Sequence, residues 1–400
     1  MNAPQIPYGR QSISEEDIAA VVDILRSDWL TQGPAIQAFE QALAKICDAK
    51  HAVTTNSATS ALHLACLALG VGPGDRVWTT PNTFVASANC ARYCGADIDF
   101  VDIDPKTMNM SVQDLATKLA VASDQGSLPK VLIPVHFAGL PCDMEAIHKL
   151  SLLYGFHLIE DASHAIGARC HGEPIGSSRY SDIVVFSFHP VKIITTGEGG
   201  AAVTNDPALA ARMELLRSHG ITRDASAFCN EYLGAWQYEQ HELGFNYRMT
   251  DLQAALGKSQ LHRVDEFVAR RNQLADRYDS LLKDFPLQLP HRSSEHLSAC
   301  HLYVIRLDEP RIHRPVFDDL RESGIMVNLH YTPVHLQPYY QRLGFAVGNF
   351  PEAERHSACA ISLPLYPGLS NEKIERVATA LSQAIELHQF EKETEDALIP

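Results

Sequence analysis

Hydrophobic and polar positions follow two rhythms along this chain. Residues 14–26, SEEDIAAVVDILR, set Ile18, Val21, Val22 and Leu25 on one face at helical spacing, with Ser14 as candidate N-cap and acids in the first turn. A second helix is predicted over residues 34–47. From residue 52 onward, strand-like and helix-like runs take turns. Helical stretches over 58–69, 84–94 and 143–154 interleave with short apolar runs at 76–80, 99–101, 131–135, 157–160, 182–188 and 200–204. Gly70 and Gly155 supply helix stops. This alternation predicts an α/β fold with a mainly parallel sheet and helices on both faces.

Beyond residue 205 the pattern changes. Helical periodicity covers 208–216 and, rich in charge, 250–284. A strand-like run at 301–307, a helix over 316–323, a Pro-rich irregular stretch at 333–368 and a helix over 371–388 follow. We expect a large domain over 1–262, N-terminal segment included, and a smaller α+β domain over 263–400. Arg270 and Arg271 are expected on a solvated helical face, and the acidic run 391–396 as a frayed end.

Composition narrows the function. The 400 residues, 46% hydrophobic and 20% charged, can bury a sizeable core across two or three domains. A net charge of −15 argues against general nucleic-acid binding, because phosphate backbones would be repelled. No secretory signal and no apolar run of membrane-spanning length is visible, so a cytoplasmic protein is expected. The nine cysteines are odd in number and form no C-x-x-C, which predicts free thiols, with Cys90 and Cys94 buried. Histidines 157, 164 and 171 recur every seven residues, but linear spacing alone supplies no convergent ligands, and no metal is expected.

Candidate chemistry collects where strands hand over to helices or loops, the usual ligand position in open α/β sheets. Asn56-Ser57-Ala58-Thr59-Ser60 precedes a helix, offering free N–H groups and hydroxyls to an anion or only an N-cap. Asp161 in EDASH follows an apolar strand, where a carboxylate can meet a cationic heteroatom, although structural Asp residues are common there. Lys192 lies in a small-residue loop a few residues past another strand, where desolvation would free its amine as a nucleophile. Taken singly each signal is weak. Together, an anion-binding helix start, an Asp and a buried Lys are the parts needed to hold pyridoxal 5'-phosphate (PLP).

The motifs LTQGP (30–34), NSATSALHLA (56–65), TTPNTFVASAN (79–89), EDASHAIG (160–167), SFHPVKIITTGEGGAAVTND (187–206), RSHGI (217–221) and FNYRMTDLQAALG (245–257) resemble the DegT/DnrJ/EryC1/StrS sugar-nucleotide aminotransferase family. The resemblance runs over nearly the whole chain and implies the fold type I, aspartate-aminotransferase-like architecture of PLP-dependent transferases. SFHPVK with ITTGEGG, and LHYTPVHLQPYYQRLGF (329–345), point to the subgroup that makes UDP-4-amino-4,6-dideoxy-N-acetyl-β-L-altrosamine for pseudaminic acid. The implied reaction moves an amino group from L-glutamate, leaving 2-oxoglutarate, to the 4-keto carbon of a UDP-linked 4-keto-6-deoxy-N-acetyl-hexosamine.

Residue by residue, the resemblance implies that Lys192 is the Schiff-base lysine and proton shuttle, and that Asp161 pairs with the pyridine nitrogen. Ala58, Thr59 and Ser187 would hold the phosphate, Phe84 would stack on the ring, and His164 would stand near the 3-hydroxyl in place of a more common Gln. Asn246 would reach the phosphate bound by the neighbouring subunit of a homodimer. Tyr8, Asp28, Trp29, Leu30, Thr31, Asn328, Leu329, His330 and Tyr331 match positions lining the nucleotide-sugar site. Ile193 stands where this subgroup more often has Pro. Four rivals remain. A UDP-4-amino-4-deoxy-L-arabinose transaminase shares several motifs, a GDP-4-keto-6-deoxymannose aminotransferase is a more distant sugar alternative, a PLP-binding sensor would lack turnover, and a sugar 3-dehydratase would carry His in place of Lys192.

Overall fold

In the computed structural model, which describes residues 4–293 and 295–396, the centre is a seven-stranded sheet. Its strands run in the spatial order His51–Thr55, Gly200–Thr204, Ile183–Ser187, His157–Asp161, Val131–Ile133, Arg76–Thr79, Asp97–Phe100. Every neighbouring pair is parallel except the two made by Gly200–Thr204, which runs antiparallel to both its partners. Strands such as Ile183–Ser187 are buried along their whole length, as expected of a sheet covered on both faces. One core joins the Ala58–Ala68 and Ala86–Tyr93 helices to the sheet through Leu62, Leu64, Val77, Ile133 and Val185. The Pro34–Cys47 and Asp251–Leu261 helices contribute Phe39, Leu43 and Ala254 to another, built with Val184 and Phe186.

A further core gathers C-terminal residues, among them Leu274, Tyr278, Ile305, Leu320, Ile361 and Leu381, around the three-stranded sheet Leu287–Gln288, Tyr303–Leu307, Ala360–Leu363. Ile6 belongs to this core, and Ile6–Pro7 pairs in parallel with Ile325–Met326. Residues 6–7 therefore lie with the C-terminal unit, whereas the Glu15–Leu25 helix packs on the larger part to which the sequence pattern assigned the segment, Asp17 accepting from Ser259 Oγ and Gln260 Nε2. A two-residue strand has no periodicity to show this.

Three other expectations are corrected. The pattern over 250–284 is two helices, Asp251–Leu261 and Val264–Leu282, separated at His262–Arg263. Arg271 is buried, not solvated, and donates to the carbonyls of Cys300 (3.4 Å), His301 (3.2 Å) and Leu365 (2.9 Å), while Arg270 donates to those of Pro367 and Leu369. The last helix runs from Asn371 through Asp396. The Val112–Asp124 helix, which the pattern did not reveal, is capped by Ser111 and buries only Leu115, Leu119 and Ala122. All nine cysteines are free, with Cys90 and Cys94 buried, and no helix among the described residues is long and apolar enough to cross a membrane.

Candidate active site

The register of the sheet brings three separate motifs to one edge. Gly200 pairs with Thr55 on one side and Ser187 on the other, and Asp161 lies beside Val185 one strand further. Two residues past Thr55, the Ser57 hydroxyl caps the Ala58–Ala68 helix by accepting from Ser60 N–H. The first N–H groups of that helix, Ala58 and Thr59, border a cleft of about 640 Å³. A Cβ on Gly200 would fall 2.4 Å from the Ala58 nitrogen, so only glycine lets the strand pass beneath the helix start. N–H groups at a helix start with Ser187 alongside form a cradle for a phosphate-sized anion.

Asp161 ends its strand with both carboxylate oxygens engaged. Ser87 Oγ donates to Oδ2 at 2.6 Å and Ser163 N–H to Oδ1 at 3.0 Å, while Thr83 Oγ1 bonds Ser87 Oγ at 2.8 Å. The carboxylate is thereby held in one orientation in the cleft wall. Ser87 lies inside the TTPNTFVASAN motif yet was not singled out from sequence, because nothing local marks a serine at the second position of a helix as the partner of a distant Asp.

Lys192 sits on the loop between Ser187 and Gly200. Phe188 closes that loop by donating to Gly199 O and accepting from Thr196 N–H. Buried Ile193 and Ile194 anchor it, each contributing roughly 1.5–3 kcal/mol; Ile193 thus supplies by packing the restraint a proline would supply by geometry. Burial pulls the Lys192 ammonium down to about 8, against the Asp161 charge, which acts to raise it.

In the same cleft, His164 is buried and accepts from Ala138 N–H at Nδ1 (3.2 Å), so its ring proton lies on Nε2, which donates to Tyr331 Oη (3.1 Å). Burial, then the Lys192 charge, hold His164 well below its ordinary pKa, in keeping with this neutral tautomer. His301, which the sequence reading missed, packs 4.5 Å from His164 by ring centroids. Phe84 stands 60% exposed at the cleft, its ring free to cover a ligand. Tyr8, Asn328, Leu329, His330 and Tyr331 line the same space, with Tyr331 N–H held by Asn82 Oδ1.

Five expected positions do not join the cleft of the single chain. Asp28, Trp29, Leu30 and Thr31 are exposed and fastened elsewhere, Thr31 bridging Thr250 and Leu30 O accepting from Asp251 N–H. Asn246 is also exposed, bridging Ser218.

The sequence profile of the DegT/DnrJ/EryC1/StrS aminotransferase family matches residues 11–382. The chain is 38% identical over 388 residues to the spore coat polysaccharide biosynthesis protein SpsC of Bacillus subtilis, covering 95% of this chain and 97% of that one. Among solved structures it is similar to Helicobacter pylori PseC, an aminotransferase involved in pseudaminic acid biosynthesis, at 31% identity and a TM-score of 0.87, over 96% and 99% of the two chains. It is also similar to Streptococcus pneumoniae Spr1654, described as a sugar aminotransferase, in its PLP form, at 30% identity and a TM-score of 0.86, over 96% and 99%.

Proposed function

The chain belongs to the DegT/DnrJ/EryC1/StrS aminotransferase family and is a PLP-dependent sugar aminotransferase of fold type I, and from that premise we propose both its substrate and the residues that act on it. The substrate is a UDP-linked 4-keto-6-deoxy-N-acetyl-hexosamine, the donor is L-glutamate, and the product is UDP-4-amino-4,6-dideoxy-N-acetyl-β-L-altrosamine. The observation that carries the site assignment is a desolvated lysine and a doubly hydrogen-bonded aspartate in one cleft with an open helix start. The likeness to PseC and the 328–345 segment support the choice of sugar.

The residues fit the cofactor. Ala58 and Thr59 N–H with Ser187 suit its phosphate, the close approach at Gly200 leaves that cradle room, and Asp161 suits a protonated pyridine nitrogen. When bound, PLP supplies a conjugated ring that accepts the electron pair released as a C–H bond next to nitrogen is broken. Lys192 Nζ would carry that proton between the substrate carbon and the cofactor, and its lowered pKa raises the share of free amine near neutrality well above that of an ordinary lysine. Asp161, held in one orientation by Ser87 and Ser163, would pair with the ring nitrogen. Phe84 would cover a ring face and exclude water there. His164, neutral and fixed by Ala138, positions the Tyr331 hydroxyl, whose own hydrogen is then free to donate into the cleft. Tyr8, Asn328, Leu329 and His330 bound the sugar's side.

We further propose that the chain divides near residue 262, and that it works as a homodimer in which Asn246 and the 28–31 segment serve the neighbouring subunit's cleft. Their exposure in the single chain supports this. The test is an absorption spectrum before and after L-glutamate, followed by a panel of UDP-linked 4-keto sugars. A visible band that glutamate removes, and that the 4-keto-6-deoxy-N-acetyl-hexosamine restores best, is expected. Restoration only by a 4-keto pentose would replace the sugar by the L-arabinose series. A band unmoved by glutamate would leave a sensor.

A further inference from the structure

Away from the cleft, a hairpin formed by Arg169–Cys170 and Glu173–Pro174 turns through His171 and Gly172 and pairs with His296–Leu297. Cys170 is the register partner of His296, so their side chains emerge side by side on one face of the ladder. His171 follows at the turn, its ring centroid 5.0 Å from that of His296, and its N–H donates to Glu295 O at 3.1 Å. Cys170 Sγ and one ring nitrogen from each histidine all lie within 4.8 Å of one another. Donors around a tetrahedral zinc stand roughly 3.3–3.8 Å apart, given bonds of about 2.0 Å to nitrogen and 2.3 Å to sulfur. Small side-chain rotations would close these three donors onto such an ion.

Two further observations point to a ligand. His296 Nδ1 is buried without a hydrogen-bond partner. His171 and Gly172 have φ of 49° and 84°, the pattern of a two-residue type I′ turn, whose first position favours Asn, Asp or Gly. A histidine held in the left-handed region is the costlier choice, and here it brings an imidazole to the cysteine. The surrounding charge is negative, with Asp143 and Glu145 close enough to act on Cys170.

We propose that Cys170, His171 and His296 form a site for zinc, with water completing the coordination. One thiolate and two imidazoles suit a borderline-soft ion and disfavour magnesium or calcium. The site would tie the hairpin that follows the Asp161 segment to residues 295–301. That stretch reaches the cleft wall, since Ala299 N–H donates to Gly139 O and His301 N–H to Ala138 O. The other convergent trio among the described residues, Cys229, Glu239 and His241, is not equivalent. Glu239 already accepts from Cys229 N–H, Asn230 N–H, Asn230 Nδ2 and His241 Nε2.

The test is titration of untagged holoenzyme with cobalt(II), read in the red beyond the cofactor's absorption, with zinc as competitor. Intense tetrahedral bands saturating at about one equivalent per chain, displaced by zinc and lost in Cys170→Ser, are expected. Weak octahedral bands alone, or bands that persist in Cys170→Ser and vanish in Cys229→Ser, would overturn the assignment. His171→Asn provides an independent readout, because asparagine suits the turn better. The metal-free variant should melt no lower than wild type, while the zinc-induced rise in Tm disappears. A zinc-induced rise retained in that variant would also refute the site.

Discussion

Each proposed role at the single-residue scale rests on a small number of contacts. Lys192 is the sharpest case. Lys192→Ala should abolish turnover and the cofactor-linked visible band, although the cleft still admits free PLP; steady multiple turnover in that variant would remove Lys192 from its role. Its pKa of about 8 also fixes a pH dependence. A lysine reacts with a carbonyl only as the neutral amine, so the rate at which apoenzyme takes up PLP should rise as pH increases through about 8 and level off above it. A rate flat from pH 6 to 9, on the order of that whole window, would contradict the assigned titration. Ser87→Ala removes the 2.6 Å bond to Asp161, a charge-assisted contact of about 1.5–3 kcal/mol. Steady-state kinetics should show kcat down by roughly tenfold or more with little change in KM for the sugar, and Asp161→Asn should be more severe. Arg271 shows where residue type misleads. An arginine in a helix of mixed charge reads as solvated, and only the convergence of the Cys300, His301 and Leu365 carbonyls explains its burial.

Elements contribute by bringing distant motifs to one edge. The helix start at Ala58 works as an anion site because Gly200 passes under it, at a distance no other side chain permits. Gly200→Ala should therefore cost about 1–3 kcal/mol through overpacking. If the strain falls on the cradle, PLP affinity drops roughly ten- to a hundredfold, measurable by cofactor titration of apoenzyme followed by absorbance. Unchanged affinity would place the phosphate elsewhere. Helix and strand identities were legible wherever periodicity was long and capped, as in Pro34–Cys47 or Gly200–Thr204, both predicted with the boundaries observed. The break at His262–Arg263 was not, because hydrophobic spacing continues across it in phase and neither Pro nor Gly marks it. The Ile6–Pro7 pairing likewise left no local trace.

At the scale of the whole molecule, the proposed homodimer can be tested at a run of exposed apolar side chains. Tyr232, Leu233, Trp236, Tyr238 and Leu243 are all more than half exposed and fall within a dozen residues of one another, close in sequence to Asn246. Light scattering should give twice the chain mass, and Trp236→Asp with Leu243→Asp should shift it toward the monomer and lower activity, since each cleft would lose its neighbour's residues. A fully active monomer would end the shared-site proposal.

What the sequence determined by itself was the class of structure and the chemistry available to it. Alternating periodicity requires a covered, mainly parallel sheet, and the motifs around Ser57, Asp161 and Lys192 resemble one family closely enough to name the cofactor. Those features are local, written in spacing, capping and residue type. Only tertiary structure decided which groups meet. Strand register placed Ser187 and Thr55 on either side of Gly200, and it was the long-range contact from Ser87 that oriented Asp161. Ala138 set the tautomer of His164, and Cys170, His171 and His296 came together from residues more than a hundred positions apart. Such meetings depend on how sheets pair and pack over distances that no window of neighbouring residues contains.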